Sequence, residues 1–158
     1  MPEITDINID VEVETIFSGG ALKARLKKRP DASVNLTIND ENITAIGSPD
    51  DAEGSLNGCN SLLKVDFSQC PKLKSVRYAT FENCLQLQTV LLPPKITSMG
   101  KECFLCCENL INVELPTKLT FIAEGMFMEC ENLKGEQSLA RSEATSRSNT
   151  LRGNHAVY

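Results

Sequence analysis

The sequence predicts an α+β repeat fold: a short solenoid of about four stacked coils, with a strand–helix cap at its N-terminal end and a flexible C-terminal tail. Three observations predict it. A phrase returns every 23 residues: Phe81, Cys84, Leu87, Val90, Leu92 and Pro93 come back as Phe104, Cys107, Leu110, Val113, Leu115 and Pro116. Phe127, Cys130 and Leu133 open it a third time. A fixed period of roughly 20–50 residues marks stacked repeats, because one such unit cannot bury its apolar face alone. Second, the apolar spacing inside the phrase is that of a short strand closed by proline. Third, composition changes at both ends of the repeating region.

The N-terminal segment, residues 1–35, reads as the cap. Residues 7–13 alternate Ile, Asn, Ile, Asp, Val, Glu, Val, the pattern of a half-buried strand. Residues 21–29 read as a short helix, with Leu22 and Leu26 one turn apart and Ser18 able to cap it. Val34, Leu36 and Ile38 then alternate again.

Residues 36–135 read as the solenoid. Leu36, Ile38, Ile43, Ile46 and Leu56 form a degenerate first coil. The next is indexed on Cys59: Leu62, Val65, Phe67, Leu73, Val76, Phe81. It runs 25 residues to Cys84, two more than its successors, and the excess lies in the turn 68–72. Val90 and Leu92 face inward together, since side chains two apart share a face of a strand. Proline has no N–H and closes the strand. Apolar pairs three apart, Ile96 with Met99 and Leu119 with Ile122, begin the return side and lead to Phe104 and Phe127. Residues 48–54 form a polar loop.

Residues 136–158 are polar, rich in Ser, Thr, Asn, Arg and Glu. Such a segment buries too little apolar surface to offset its ordering entropy, so it reads as disordered unless a partner holds it. Ser142, Ser146, Ser148 and Thr150 lie among arginines and are acceptable phosphorylation sites. The final four residues, ending at Tyr158, could add as a strand to a partner's groove.

These motifs resemble the BspA-like (Treponema-type) leucine-rich repeat family, whose pattern is roughly Ala-Phe-x-x-Cys-x-x-Leu-x-x-Ile-x-Leu-Pro and then Ile-x-x-Ile-Gly. Ile96, Met99, Gly100, Phe104, Cys107 and Leu110 carry it here. Cys103 and Met126 stand where the family has alanine, and Ala123 stands at the glycine position of Gly100. The resemblance covers about residues 36–133. It implies a leucine-rich-repeat solenoid and, for many members, a surface role in adhesion.

Charge and composition exclude several functions. The net charge is −5, with 16 basic and 21 acidic residues, so no broad basic excess invites nucleic acid. No apolar run reaches the ~18 residues of a membrane span. The opening residues are acidic and read as no signal peptide. That predicts a cytoplasmic or cytoskeleton-associated protein with reduced thiols. Of the seven cysteines, Cys59, Cys84, Cys107 and Cys130 fall at one repeat position and read as a buried ladder of small apolar groups.

Chemistry-bearing constellations are thin. Cys103, Cys106 and Cys107 could suggest zinc, but four ligands in tetrahedral array are wanted, and the repeat register turns two of these thiols inward. No metal and no cofactor is expected. His155, the lone histidine, lies in the tail, far from any thiol it could activate. Glu82, Glu108 and Glu131 beside the repeat cysteines read as a solvated edge rather than an acid–base pair. Gly19 and Gly20 lack the flanking pattern of a phosphate loop. Asn35 and Asn42 open glycosylation sequons, which read as chance matches in an unexported chain.

What remains is binding. On the strand face, Gln88, Thr89 and Leu91 of one coil and Ile111, Asn112 and Glu114 of the next point outward. Leu91 and Ile111 interrupt a polar face and are candidate anchors. Lys23, Arg25, Lys27, Lys28 and Arg29 form the densest basic cluster and could dock on an acidic protein surface. The expected function is non-catalytic protein binding, as an adaptor or structural subunit of a larger intracellular assembly, a cytoskeletal one included. The alternative is a surface or secreted adhesin-like protein.

Overall fold

The computed structural model describes residues 4–9, 16–17, 33–39, 41–47 and 54–134. Among these residues nine short strands alternate between two parallel sheets. Sheet A takes β1 (Ile4–Ile9), β3 (Ser33–Ile38), β5 (Leu62–Asp66), β7 (Thr89–Leu91) and β9 (Asn112–Val113) in that spatial order. Sheet B takes β2 (Ile16–Phe17), β4 (Ala45–Ile46), β6 (Ser75–Val76) and β8 (Ser98–Met99). Each of the first four coils gives one strand to each sheet, and from residue 54 onward runs of turns form a third side. A chain that winds one way with a constant period can only lay its strands parallel.

The indexed positions are the core. Leu62, Leu87 and Leu110 are fully buried, as are Val65 and Val90; Val113 is nearly so. Ile46, Val76, Met99 and Ile122 line the inside of the second side. Leu92 is only partly buried against this core, while its equivalents Phe67 and Leu115 are buried. Phe81, Phe104 and Phe127 stack ring on ring, with centroids 5.4 Å apart at both steps and planes within 5° and 8° of parallel. That spacing is the coil spacing of about 4.8 Å with a small offset, the favoured geometry for stacked rings. Leu56 holds the same position one coil earlier, and Phe67 tilts onto Phe81 at 6.2 Å.

Two expectations change. The first concerns the N-terminal segment. β1 pairs with β3 in unbroken parallel register from Ile4↔Ser33 to Ile9↔Ile38, and β2 pairs with β4. The segment thus adds one further strand to each sheet at the end of the stack, and among the described residues five strands rather than about four build sheet A. The second concerns the strand read at residues 7–13: it lies at Ile4–Ile9, and residues 10–13 are outside the described residues. No helix occurs among the described residues, and the helix read at 21–29 lies outside them.

The third side is held by backbone bonds between coils. The N–H groups of Leu56 and Gly58 donate to Thr80 and Glu82; those of Ala79, Phe81 and Asn83 donate to Lys101, Cys103 and Leu105; those of Glu102, Phe104 and Cys106 donate to Glu124, Met126 and Met128. Along this side each coil carries two left-handed residues. Gly54, Ala79, Glu102 and Gly125 form one such row, and Gly58, Asn83, Cys106 and Glu129 the other, with φ between 47° and 77°. Alanine, glutamate and cysteine accept this cost because the ladder on both sides fixes the conformation.

Two glycines separate the causes of strain. A Cβ on Gly58 would meet nothing within 4 Å, whereas one on Gly54 would lie 1.9 Å from the Ala79 carbonyl oxygen. Gly58→Ala is expected to cost about 1 kcal/mol through the left-handed backbone alone. Gly54→Ala should cost clearly more, and urea unfolding of the pair reads the difference. Leu110→Ala should lose ~2–5 kcal/mol by the same measurement, as expected of a fully buried leucine.

Candidate protein-binding face

The outer face of sheet A is built by alternation. Residues between the buried ones point away from the core, and parallel pairing sets them in rows. Asn35, Lys64, Thr89 and Asn112 form one row; Thr37, Asp66, Leu91 and, by the 23-residue period, Glu114 form the next. Leu63, Gln88, Ile111 and Lys134 form a third, stitched by the N–H of Gln88 on Leu63, of Ile111 on Gln88 and of Lys134 on Ile111. The structure therefore brings together Gln88, Thr89, Leu91, Ile111, Asn112 and Glu114 on two neighbouring coils. Lys23, Arg25, Lys27, Lys28 and Arg29 lie outside the described residues.

Leu91 and Ile111 are half-buried rather than fully open, and so are Gln88 and Thr89; Asn112 and Glu114 are exposed. Sequence reasoning missed Leu63. The register between β3 and β5 shifts after Val34↔Leu62, so Leu63 is an extra residue opposite the Val34–Asn35 step. A two-versus-one count of this kind marks a bulge. The signal was available, because Leu63 stands one place after the repeat leucine, as Gln88 and Ile111 do. Leu63, Leu91 and Ile111 are thus three apolar side chains on an otherwise polar face.

Lys64 and Asp66 are the charged pair of this face, 3.6 Å apart. Burial opposes the charge on Asp66. The hydrogen bonds from Ser68, including its backbone N–H at 2.9 Å, and the neighbouring Lys64 outweigh that and hold the carboxyl below its usual range. Asp66 is therefore ionised, and fixed in direction by its own turn.

The cysteines turn out to be hydrogen-bond donors. Cys84 Sγ donates to the Leu56 carbonyl, Cys107 Sγ to Phe81 and Cys130 Sγ to Phe104, each at 3.1 Å. Each acceptor carbonyl also takes an N–H from its own coil, from Cys59, Cys84 and Cys107 respectively. The thiol thus fills the second lone pair of a buried carbonyl. Such contacts are individually weak, but alanine could not make them. Cys70 Sγ does the same to Ile38 at 3.2 Å.

None of the seven cysteines is in a disulfide, and among the described residues no group of three or more His, Cys, Asp or Glu is placed to hold a metal. Burial raises Cys130 to about 12 and Cys107 well above its ordinary value, the latter also through the neighbouring Cys84, Cys130 and Cys103. Cys106 reaches the surface in part. Its thiol donates to Glu129 Oε2 at 3.1 Å. Burial first, then that bond and the charges of Glu129, Glu82 and Glu108, push it up to about 12. It is a protonated donor and a poor nucleophile. Glu82 accepts from Asn57 Nδ2 at 2.7 Å, and Glu108 and Glu131 are exposed. Glu82 stands two places before its cysteine and the others one place after, so the three do not share a row.

This architecture is that of a leucine-rich repeat solenoid. The model of the BspA-type leucine-rich repeat region matches residues 33–146 as six copies, and the chain belongs to that family. It is similar to the crystal structure of the T. pallidum leucine-rich repeat protein, at TM-score 0.60 and 19% identity over 82% of this chain and 60% of that one. A leucine-rich repeat protein from Bacteroides ovatus matches at TM-score 0.48 and 20% identity, over 82% of this chain and 38% of that one. The chain thus spans less than two thirds of either neighbour. No curated protein matches it. Leucine-rich repeat proteins are typically non-enzymatic scaffolds that mediate protein–protein interaction. No helix among the described residues is long and apolar enough to cross a membrane.

The thiol chemistry makes a pH prediction. Unfolded thiols ionise near their ordinary 9.0, while buried Cys130 must stay protonated up to about 12. Its contribution is present in full below pH 9 and is lost as pH rises towards 12. Alkylation of native Cys106 by iodoacetamide should be slow at pH 8. Glu129→Gln should speed it, because removing the carboxylate charge lowers the thiol's pKa.

Proposed function

We propose that this chain is a non-catalytic adaptor or structural subunit of a larger intracellular assembly, a cytoskeletal one included, and that its partner docks on the outer face of sheet A. The observation that carries the reading is the setting of Leu63, Leu91 and Ile111 among Gln88, Thr89, Asn112 and Glu114, on a sheet whose rows are fixed by the core beneath. Apolar anchors ringed by polar groups on a rigid support suit protein recognition. The free, bond-donating thiols support a reducing compartment, since oxidation would remove the donors the buried carbonyls use.

One observation favours a second reading, a surface or secreted adhesin-like protein binding host or matrix ligands. Asn42 is exposed and Asn35 half-exposed, so both sequons are reachable. Capture from the native cell with the full chain as bait separates the two. Partners lost on Leu91→Ser with Ile111→Ser, at a stability within about 1 kcal/mol of the parent, support the docking face. Partners retained by that variant would sink it. Recovery from the cell surface with glycans on Asn35 or Asn42 would establish the adhesin reading.

A further inference from the structure

The turn that carries the chain from sheet A to sheet B repeats one exposed residue in three successive coils: Lys72, Lys95 and Lys118. Each directly precedes a buried residue, Leu73, Ile96 and Leu119, so the three stand in one row. The register of β6 on β8, Ser75↔Ser98, fixes the first two, and the 23-residue period places the third. Lys72 also reaches back one coil, donating to Asn42 Oδ1 at 3.1 Å. Lys74, exposed, adds a fourth charge on the first of these coils.

Nothing in the core asks for this uniformity. Other outward rows vary: Asp66, Leu91, Glu114 on the side of sheet A, and Ser75, Ser98 of sheet B followed, one 23-residue period on, by Phe121. Three ammonium groups at coil spacing repel one another. Among the described residues the ion pairs are Lys64–Asp66 and Lys101–Glu124, and neither involves this row. Three residues beyond Lys118 stands Phe121, 54% exposed and the most open large apolar side chain described. A charged ladder beside an open aromatic is the composition of a recognition surface.

We infer that this lysine ladder, with Phe121 at its end, binds an acidic α-helical segment of a partner protein lying along the solenoid axis. Spacing selects the helix. Parallel strands place the three lysines about 4.8 Å apart, so the row spans about 9.6 Å. One face of a helix presents residues i, i+4 and i+7 at rises of about 6 and 4.5 Å, about 10.5 Å in all. An extended strand presents same-side residues every 6.6–6.8 Å or so and would overrun the ladder, at about 13.5 Å for three. The chain's net charge of −5 leaves this basic row a local feature, suited to a local acidic stripe. The surface is separate from the outer face of sheet A, so the two stand or fall independently.

The test uses the full chain and a stapled helical peptide with glutamates at i, i+4 and i+7 and a leucine flanking them, followed by fluorescence anisotropy. Binding should weaken steeply with salt. It should fall at least about tenfold for the K72E, K95E, K118E triple variant, and measurably for Phe121→Ser. Circular dichroism and thermal melting of both variants check that the fold is intact. Equal binding of the peptide to the triple variant would overturn the assignment, and so would no binding at low salt. Equal affinity for a peptide with its glutamates scattered round the helix, or for a sulfated oligosaccharide of like charge, would mean a generic polyanion surface and would equally overturn the helical partner.

Discussion

A coil of this solenoid meets few of its own backbone groups. Apart from short turns, its N–H and C=O groups are taken by the coils before and after, on sheet A, on sheet B and along the third side. Buried backbone groups must be paired, so each coil needs neighbours set at one spacing and in one register. Everything else follows from that requirement. Rings stack because the coil spacing suits offset aromatic faces. Thiols reach carbonyls because equivalent residues lie one strand apart. The same register sets outward residues in straight rows, and those rows form the surface of the described coils.

The inward rows were legible in the sequence because packing repeats them. Cys84, Cys107 and Cys130 share a position, as do Leu87, Leu110 and Leu133, and all six are buried. The left-handed rows were not legible. Ala79, Glu102 and Cys106 have side chains that avoid positive φ, so nothing in their identity signals the turn. The hints lay in other coils of the same rows, where Gly54, Gly125 and Gly58 occupy the same places. The thiols were read as small apolar groups, since spacing shows that a cysteine is buried but not that it donates. The N-terminal strand reads as part of a cap because a solenoid end needs covering. Only its pairing with β3 puts it in the stack.

The face on sheet A was legible in part, for a related reason. Outward residues follow from alternation, so Gln88, Thr89, Leu91, Ile111, Asn112 and Glu114 could be named. How far each emerges depends on its neighbours across the strands, which periodicity does not give. Leu91 and Ile111 are half-covered by the rows beside them. Leu63 enters only through the register shift at β3 and β5. Cys106 shows the converse. Sequence allows it to be an exposed thiol, and exposure alone would make it reactive. Its contact with Glu129 across one coil makes it a bound proton donor instead.

Uniform and varied rows call for different kinds of partner. On the inside, uniformity is explained by packing, because each coil offers its neighbour the same hole. On the outside that explanation is gone, and a uniform row needs another. Lys72, Lys95 and Lys118 repeat one charge at one spacing, which suits a ligand that is itself periodic, and a helix with one acidic face is periodic at nearly the same step. The rows of sheet A change residue from coil to coil: lysine, threonine, asparagine in one and aspartate, leucine, glutamate in the next. Such a face distinguishes its two ends and suits an aperiodic surface of defined shape. A solenoid with both kinds of row can hold two partners at once, since the corner and the sheet face point in different directions from the same rigid core. That geometry suits the adaptor proposed above.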